Sequence, residues 1–215
     1  MAAWTYSQLE KYQTCPKQFY HLRIARDFTD PPTEHTVWGE KVHSAMEYRI
    51  AEGTPLPEGM TQWEAIAAKL ESIKGTKYVE HQLAVSKSFA PAPWGDAWSR
   101  GIIDLLIVNG KSAAVFDHKT GKRKPSNQLS LYAAYTFAHF PEVETVTTAF
   151  VWLKERKLDK ETFTRVDIPH IWQNFLPTVR KIEISHESST WPARPSGLCR
   201  AWCSVTTCPH NGNRT

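Results

Sequence analysis

Apolar residues recur at helical spacing over the first third of the chain and at alternating spacing through its middle, which predicts an N-terminal helical layer followed by a sheet. Ser7-Gln-Leu-Glu10 has the form of a capping box, so a helix is expected to begin there, with Leu9, Tyr12, Phe19 and Tyr20 available for burial. Pro16 opens a new helical segment or marks a kink. A second helix is expected from about Glu34 to Ala51, stopped by Gly53, and a third from the Thr61-Gln-Trp-Glu64 box to near Gly75. The period then changes. Lys77 to Phe89 carries Val79, Leu83 and Val85 in rough alternation and reads as a strand; Ala97 to Val108 reads as a second. Asn109-Gly110 is a tight-turn signal, and Ser112 to Asp117 is the returning strand. A helix over 126–139, strands at about 144–154 and 159–168, and a helix at about 170–184 follow. Pro192, Pro195, Gly197, Pro209 and Gly212 make the last thirty residues read as loop.

This order predicts a mixed α/β fold in one domain: a helical part at 1–75, a core at 76–185 and a cysteine-bearing tail at 186–215. An apolar content of 41% suffices for a core, and nine Trp, nine Phe and seven Tyr spread along the chain exclude low-complexity disorder. No apolar run approaches the roughly 18 residues needed to span a membrane. The opening Met1-Ala-Ala-Trp lacks a basic stretch followed by an apolar one, so a cytoplasmic protein is expected. The net charge of +4 leans mildly toward anionic partners, and Lys122-Arg123-Lys124 is the one tight basic cluster.

Counting back from a turn at Asn109-Gly110 pairs Val108 with Lys111 and sets Asp104 opposite Val115. Val115, Asp117 and Lys119 then share a face with Asp104, because side chains alternate along a strand. The diagonal from Asp104 to Asp117 would be about 7–8 Å, within reach of a shared cation. Asp104 also sits within Ile102-Ile-Asp-Leu-Leu-Ile-Val108, where a lone carboxylate is costly and must be paired, hydrated or metal-bound.

Gly101-Ile-Ile-Asp104 followed by Val115-Phe-Asp117-His-Lys119-Thr-Gly121 resembles the core motif of the PD-(D/E)XK nucleases. Trp38-Gly-Glu-Lys-Val-His43, Gln128-Leu-Ser-Leu-Tyr132 and the opening from Ser7 through Cys15-Pro16 to Tyr20 narrow the resemblance to the RecB-type exonuclease branch. The resemblance implies a restriction-endonuclease-like mixed sheet flanked by helices, with a loop-rich tail. It implies that His43, Asp104, Asp117 and the backbone carbonyl of His118 hold Mg²⁺ or Mn²⁺, the His118 side chain pointing away. Lys119 would hold or activate the attacking water, and Gln128 and Tyr132, four apart on one helix face, would orient it or contact the DNA backbone. Glu80 reads first as an exposed strand residue; its other reading is a ligand through water or to a second ion.

Cys15 with Cys199, Cys203 and Cys208 resembles the iron–sulfur subset of that branch, which includes the CRISPR-associated adaptation nucleases and AddB-type nucleases. The middle cysteine of the late triplet is shifted by one from the subset's usual spacing. The residues leave three readings open: a [4Fe–4S] cluster, zinc with His210 as a replacement ligand, or no metal.

The expected function is a metal-dependent deoxyribonuclease, exonuclease rather than endonuclease, in phage or bacterial DNA recombination, repair or end processing. DNA is the expected partner, with a helicase or recombination protein beside it. The competing expectations are an inactive DNA-binding or scaffold protein of the same fold and a metal-cluster protein.

Overall fold

The computed structural model describes residues 3–212; Met1 and Ala2, at the start read for a leader, and residues 213–215 of the tail lie outside them. In chain order the regular elements are α1 (Tyr6–Thr14), α2 (Pro16–Phe19), a π-helical turn (Tyr20–Ala25), α3 (Glu34–Glu52), α4 (Glu64–Glu71), β1 (Thr76–Val85), β2 (Ser99–Asn109), β3 (Ser112–Lys119), α5 (Gln128–His139), β4 (Thr145–Trp152), β5 (Lys157–Thr164) and α6 (Ile168–Glu187). They fall into two compact units: Thr33–Trp172, and the flanking segments Met1–Pro32 and Gln173–Thr215 together. No helix among the described residues is long and apolar enough to cross a membrane.

The larger unit is built on a five-stranded sheet in the order β1-β2-β3-β4-β5. β1, β2 and β3 form an antiparallel meander; α5 then carries the chain over to β4, which lies parallel to β3, and β5 returns antiparallel at the far edge. This is the mixed α/β sheet flanked by helices that the residue pattern predicts.

The hairpin differs from the expectation in its turn. Asn109 pairs with Ser112, so Gly110 and Lys111 occupy the corner, and Gly110 takes the left-handed φ of 58° that the corner requires. The ladder runs back to Leu105↔Phe116, so Asp104 stands opposite Asp117 rather than Val115. The partner shifts by two residues, so the face assignment survives.

One side of the sheet is closed by α3 and α4: Val42, Met46, Ile50, Trp63, Ala67 and Leu70 pack with Leu105, Ile107, Phe116, Ala149 and Val151. The α4 start is not the expected box. A 3-10 turn at Thr61–Trp63 precedes it with no side-chain cap, and Trp63 is held by its indole N–H donating to the Leu153 carbonyl. α3 stops where the sequence predicts, with Gly53 left-handed at φ 74°. α5 packs against β1, β3, β4 and β5. It is buried from Leu129 through Phe137, all round rather than along one stripe.

Gly101 explains how α5 docks. A Cβ there would lie 3.1 Å from ring atoms of both Tyr132 and Tyr135, so a bare backbone at this strand position lets the two rings settle on β2.

The smaller unit is held by aromatic packing. α1 is capped by Thr5 with Gln8, two residues before the expected box, and Pro16 opens α2 as predicted. Tyr12 packs edge-on against Phe19 and Trp191, and its hydroxyl bonds Ser185 and the Lys181 carbonyl. Leu9, Tyr12 and Phe19 are buried, while Tyr20 is only partly covered. Among the described residues after α6, the tail is loop apart from a 3-10 turn at Gly197–Arg200.

Candidate metal centre

His43 reaches the site because Val42, Met46 and Ile50 fix one stripe of α3 in the core, leaving the next position at the edge of that stripe. Thr36, Glu40, His43 and Glu47 recur at i, i+4, i+7 and i+11 and line one wall of a cleft of about 480 Å³, with Glu80 across from them. Glu80 is a break in β1. Val79 pairs with Leu105 and His81 with Ile103, but the pair between them, Glu80 and Asp104, is skipped, and Glu80 adopts φ 47°. A left-handed glutamate in mid-strand costs about 1–3 kcal/mol and persists only where its surroundings over-determine it.

The result is a compact donor set. Ligating atoms of His43, Glu80 and Asp104 all lie within 4.8 Å of one another. One imidazole and two carboxylates form a predominantly hard site that suits Mg²⁺ and, through the imidazole, Mn²⁺. The sequence reading placed His43 and Asp104 here and ranked Glu80 below them. A long loop rather than a tight turn joins β1 to β2, so the register that sets Glu80 opposite Asp104 could not be counted, and the left-handed backbone of Glu80 leaves no trace in the sequence.

Asp104 is the hub. Its Oδ2 accepts the His118 backbone N–H at 2.7 Å and lies 3.2 Å from His43 Nδ1 and 3.4 Å from His118 Nδ1. The His118 side chain therefore does not point away as strand parity suggests. It is buried beside Asp104, its ring edge-on to His43 at 6.2 Å, and its Nε2 has no hydrogen-bonding partner among the described residues. Burial alone would raise the Asp104 pKa, but hydrogen bonds from His118 and His43 outweigh it and hold the carboxyl far below its ordinary value. Reciprocally, the hydrogen bond to Asp104 raises the His43 pKa against the opposing effect of burial.

Asp117 faces the other way in charge. Burial first, and then the Asp104 charge, push its carboxyl above the usual carboxylate range. Its Oδ2 lies 2.6 Å from Lys119 Nζ. Lys119 donates to Gln128 Oε1 at 3.0 Å, and Gln128 Nε2 donates to the Tyr132 hydroxyl at 2.7 Å. The lysine also lies over the Phe150 ring, 5.2 Å from its centroid. Gln128 and Tyr132 are thus brought to Lys119 as a relay of hydrogen bonds, with Tyr132 buried and its hydroxyl pKa pushed well above the ordinary value by that burial.

The cysteines belong to the smaller unit. None is in a disulfide. All four line a cavity of about 230 Å³, with Lys11, Arg194 and His210 also on its walls. The backbone N–H groups of Arg194 and Ser196 point at the sulfurs of Cys15 and Cys199, each at 3.4 Å.

Comparison with known proteins gives the lineage. The profile of the PD-(D/E)XK nuclease superfamily matches residues 3–98 and 58–209. No curated protein matches the chain. Among solved structures, a protein from Eubacterium rectale named as a proposed exonuclease is 11% identical, with a TM-score of 0.53 over 90% of this chain and 84% of that one. The crystal structure of SSO0001 is 13% identical, with a TM-score of 0.46 over 98% of this chain and 88% of that one. At 11% identity the likeness to the Eubacterium rectale protein speaks for the fold alone, whereas the profile spans most of the sequence, and on that ground the chain belongs to the PD-(D/E)XK nuclease superfamily.

Proposed function

We propose that this chain is a metal-dependent deoxyribonuclease of the RecB type, acting on DNA ends, and that it works in recombination, repair or end processing in a bacterial or phage-infected cytoplasm. The observation that carries the reading is the convergence of His43, Glu80 and Asp104 within 4.8 Å, beside a separately held Asp117–Lys119 pair. His43, Glu80 and Asp104 would hold Mg²⁺ or Mn²⁺, with Asp117 and the His118 carbonyl completing the set. When bound, the ion supplies an acidified water and a polarised phosphoryl oxygen. A scaffold that had lost catalysis would have no need to keep a donor set of this composition with a left-handed Glu80 and a buried Asp104.

The chain's own residues divide the remaining work. Asp104 stays ionised because the His118 backbone N–H donates to one of its oxygens and two imidazole nitrogens lie beside the same oxygen. Lys119 offers positive charge where the phosphorane accumulates negative charge. Asp117 and Gln128 restrict the ammonium group to one direction, and Tyr132 fixes Gln128 in turn. The buried Tyr132 hydroxyl serves as a positioning group, since its raised pKa keeps it protonated.

Digestion of linear, circular and end-labelled DNA in Mg²⁺ and in Mn²⁺, with and without chelator, tests this. Linear DNA is expected to be consumed from its ends and closed circles spared. Cleavage that persists in chelator, or in Asp104→Ala, sinks the mechanism; equal cleavage of closed circles sinks the exonuclease assignment.

For the second centre we propose a [4Fe–4S] cluster on Cys15, Cys199, Cys203 and Cys208. Supporting it, the sulfurs line a cavity rather than meeting at a point, and two backbone N–H groups are already aimed at them. A cluster would fasten a loop-rich tail that has little packing of its own. Anaerobically purified protein should be brown and carry about four iron atoms per chain. Stoichiometric zinc instead would assign the centre to the alternative metal, and a metal-free, folded tail would leave the cysteines structural.

A further inference from the structure

Lys119 is committed to Asp117 and Gln128, so it is poorly placed to grip the rest of a long polyanion. The sheet extends outward from it. Lys119 pairs with Trp152 on β4, and Trp152 with Lys157 on β5. Directly paired residues share a face, so Lys119, Trp152 and Lys157 form one row, and Asp117, Phe150 and Asp159 form the next. Two strand spacings separate Lys157 from Lys119 in the sheet, about 10 Å. At about 3.4 Å of rise per nucleotide, that is roughly three nucleotides of a DNA strand.

The loop that leaves Lys119 is fastened to this same edge. Arg123 binds the Asp159 carboxylate through both Nε and a terminal nitrogen, and the Trp152 indole N–H donates to the same carboxylate at 2.7 Å. Arg123 is therefore a peg rather than a ligand. Its exposed sequence neighbour Lys122 is carried along with it. The turn between β4 and β5 adds Lys154 and Arg156, also exposed, against one acidic residue, Glu155.

Resting on the nuclease reading, we propose that Lys122, Lys154 and Lys157 form a track for the DNA phosphates flanking the bond to be cut, and that Asp159 sets the track by pinning Arg123. The charges are exposed and lie beyond the catalytic lysine in the direction of the sheet edge. The pin converts a flexible basic loop into a fixed ridge, which lowers the ordering cost of binding.

The test is the salt dependence of binding to duplex and single-stranded DNA of one sequence, read by fluorescence anisotropy in EDTA. Lys122→Ala/Lys154→Ala/Lys157→Ala should weaken duplex binding about 100-fold near 0.1 M salt and flatten the log–log slope by about 2–3, less on single strands. The control Lys69→Ala/Lys74→Ala removes exposed lysines on and just after α4 and should leave the slope near wild type. An unchanged slope in the triple variant, or an equal change in the control, overturns the track. Asp159→Asn keeps an acceptor for Trp152 and frees Arg123. Removing a negative charge would by itself tighten binding, so weaker binding is expected only from loss of the pin, and tighter binding overturns that role. A wild-type chain that cleaves DNA while the triple variant binds normally sinks this proposal alone. A wild-type chain that neither binds nor cleaves DNA sinks the nuclease reading beneath it.

Discussion

Asp104 accepts the backbone N–H of His118 at 2.7 Å, at the point where the β2–β3 ladder has ended. A carboxylate has taken over a position that a main-chain carbonyl would otherwise fill. The same oxygen meets two imidazoles, so the charge of Asp104 is fixed in place by groups that are themselves part of the fold.

Asp104→Asn separates charge from shape. The amide oxygen can still accept from His118, so the chain should still fold cooperatively, with a melting temperature lowered only by loss of the stabilising charge. The lost charge should lower cleavage by about 10³-fold, the equivalent of several kcal/mol of metal and transition-state stabilisation. Cleavage assays beside thermal melts check this; a variant with a cooperative melt and near-normal cleavage would remove Asp104 from the ligand set.

The relay from Lys119 through Gln128 to Tyr132 predicts a graded series. Gln128→Leu removes the acceptor that directs the ammonium group and should lower kcat about 10–100-fold with little change in metal affinity, the range seen for groups that orient a reacting side chain. Tyr132→Phe leaves Gln128 Nε2 short of an acceptor and should cost about 1–2 kcal/mol in stability, with a smaller loss of kcat. Manganese affinity measured by spin resonance distinguishes positioning from ligation. If Gln128→Leu loses metal as well as rate, Gln128 acts on the ion rather than on Lys119.

Most of the site could be read before any coordinates, because its parts are tied to strong local signals. Side chains alternate along Val115-Phe-Asp117-His-Lys119, and misplacing the corner by one residue moved every partner by two, which left Asp104 on the correct side. Gln128 and Tyr132 are four apart in a helix whose apolar content is unmistakable. What escaped the sequence was what periodicity does not encode. Glu80 enters the site through a left-handed backbone in mid-strand. His118 turns toward Asp104 where the ladder has stopped, so parity no longer governs its ring. The Thr61 box failed because Trp63 secures that turn by a long-range bond to Leu153, a tertiary contact that outweighs local capping.

Gly101 should resist replacement by the smallest side chain. An alanine Cβ would sit 3.1 Å from both tyrosine rings. Neither ring is free to retreat: α5 is buried on all sides, Tyr135 is tied to Ser99, and Tyr132 to Gln128. Gly101→Ala should therefore destabilise the chain by about 1–3 kcal/mol, the usual cost of overpacking. It should also lower cleavage by shifting Tyr132 and, through Gln128, Lys119. Denaturant melts give the first number and cleavage at saturating DNA the second; an unaffected melt would mean that α5 can yield where the packing says it is locked.

Metal binding should release protons in a pH-dependent way. His43 holds its proton more tightly than free imidazole because of its hydrogen bond to Asp104, yet it must surrender that proton to ligate an ion. Asp117, whose pKa burial and the Asp104 charge raise, adds a further share if it ligates. Affinity for Mn²⁺ should therefore fall as pH drops through the raised His43 value, with roughly one proton or more released per ion near pH 6 and fewer near pH 8. Calorimetric titration in buffers of different ionisation enthalpy measures this directly, and His43→Ala should remove the imidazole's share along with much of the affinity. In the metal-free chain the sign reverses. The raised His43 pKa contributes stability that is fully present below its unfolded value and is lost as pH rises through the folded one, while the depressed Asp104 pKa contributes stability lost only as pH falls into the acid range. His43→Ala should thus destabilise the metal-free chain more near pH 5.5 than near pH 8. A Mn²⁺ affinity that is flat with pH, with no proton released at either end, would take His43 out of the metal centre.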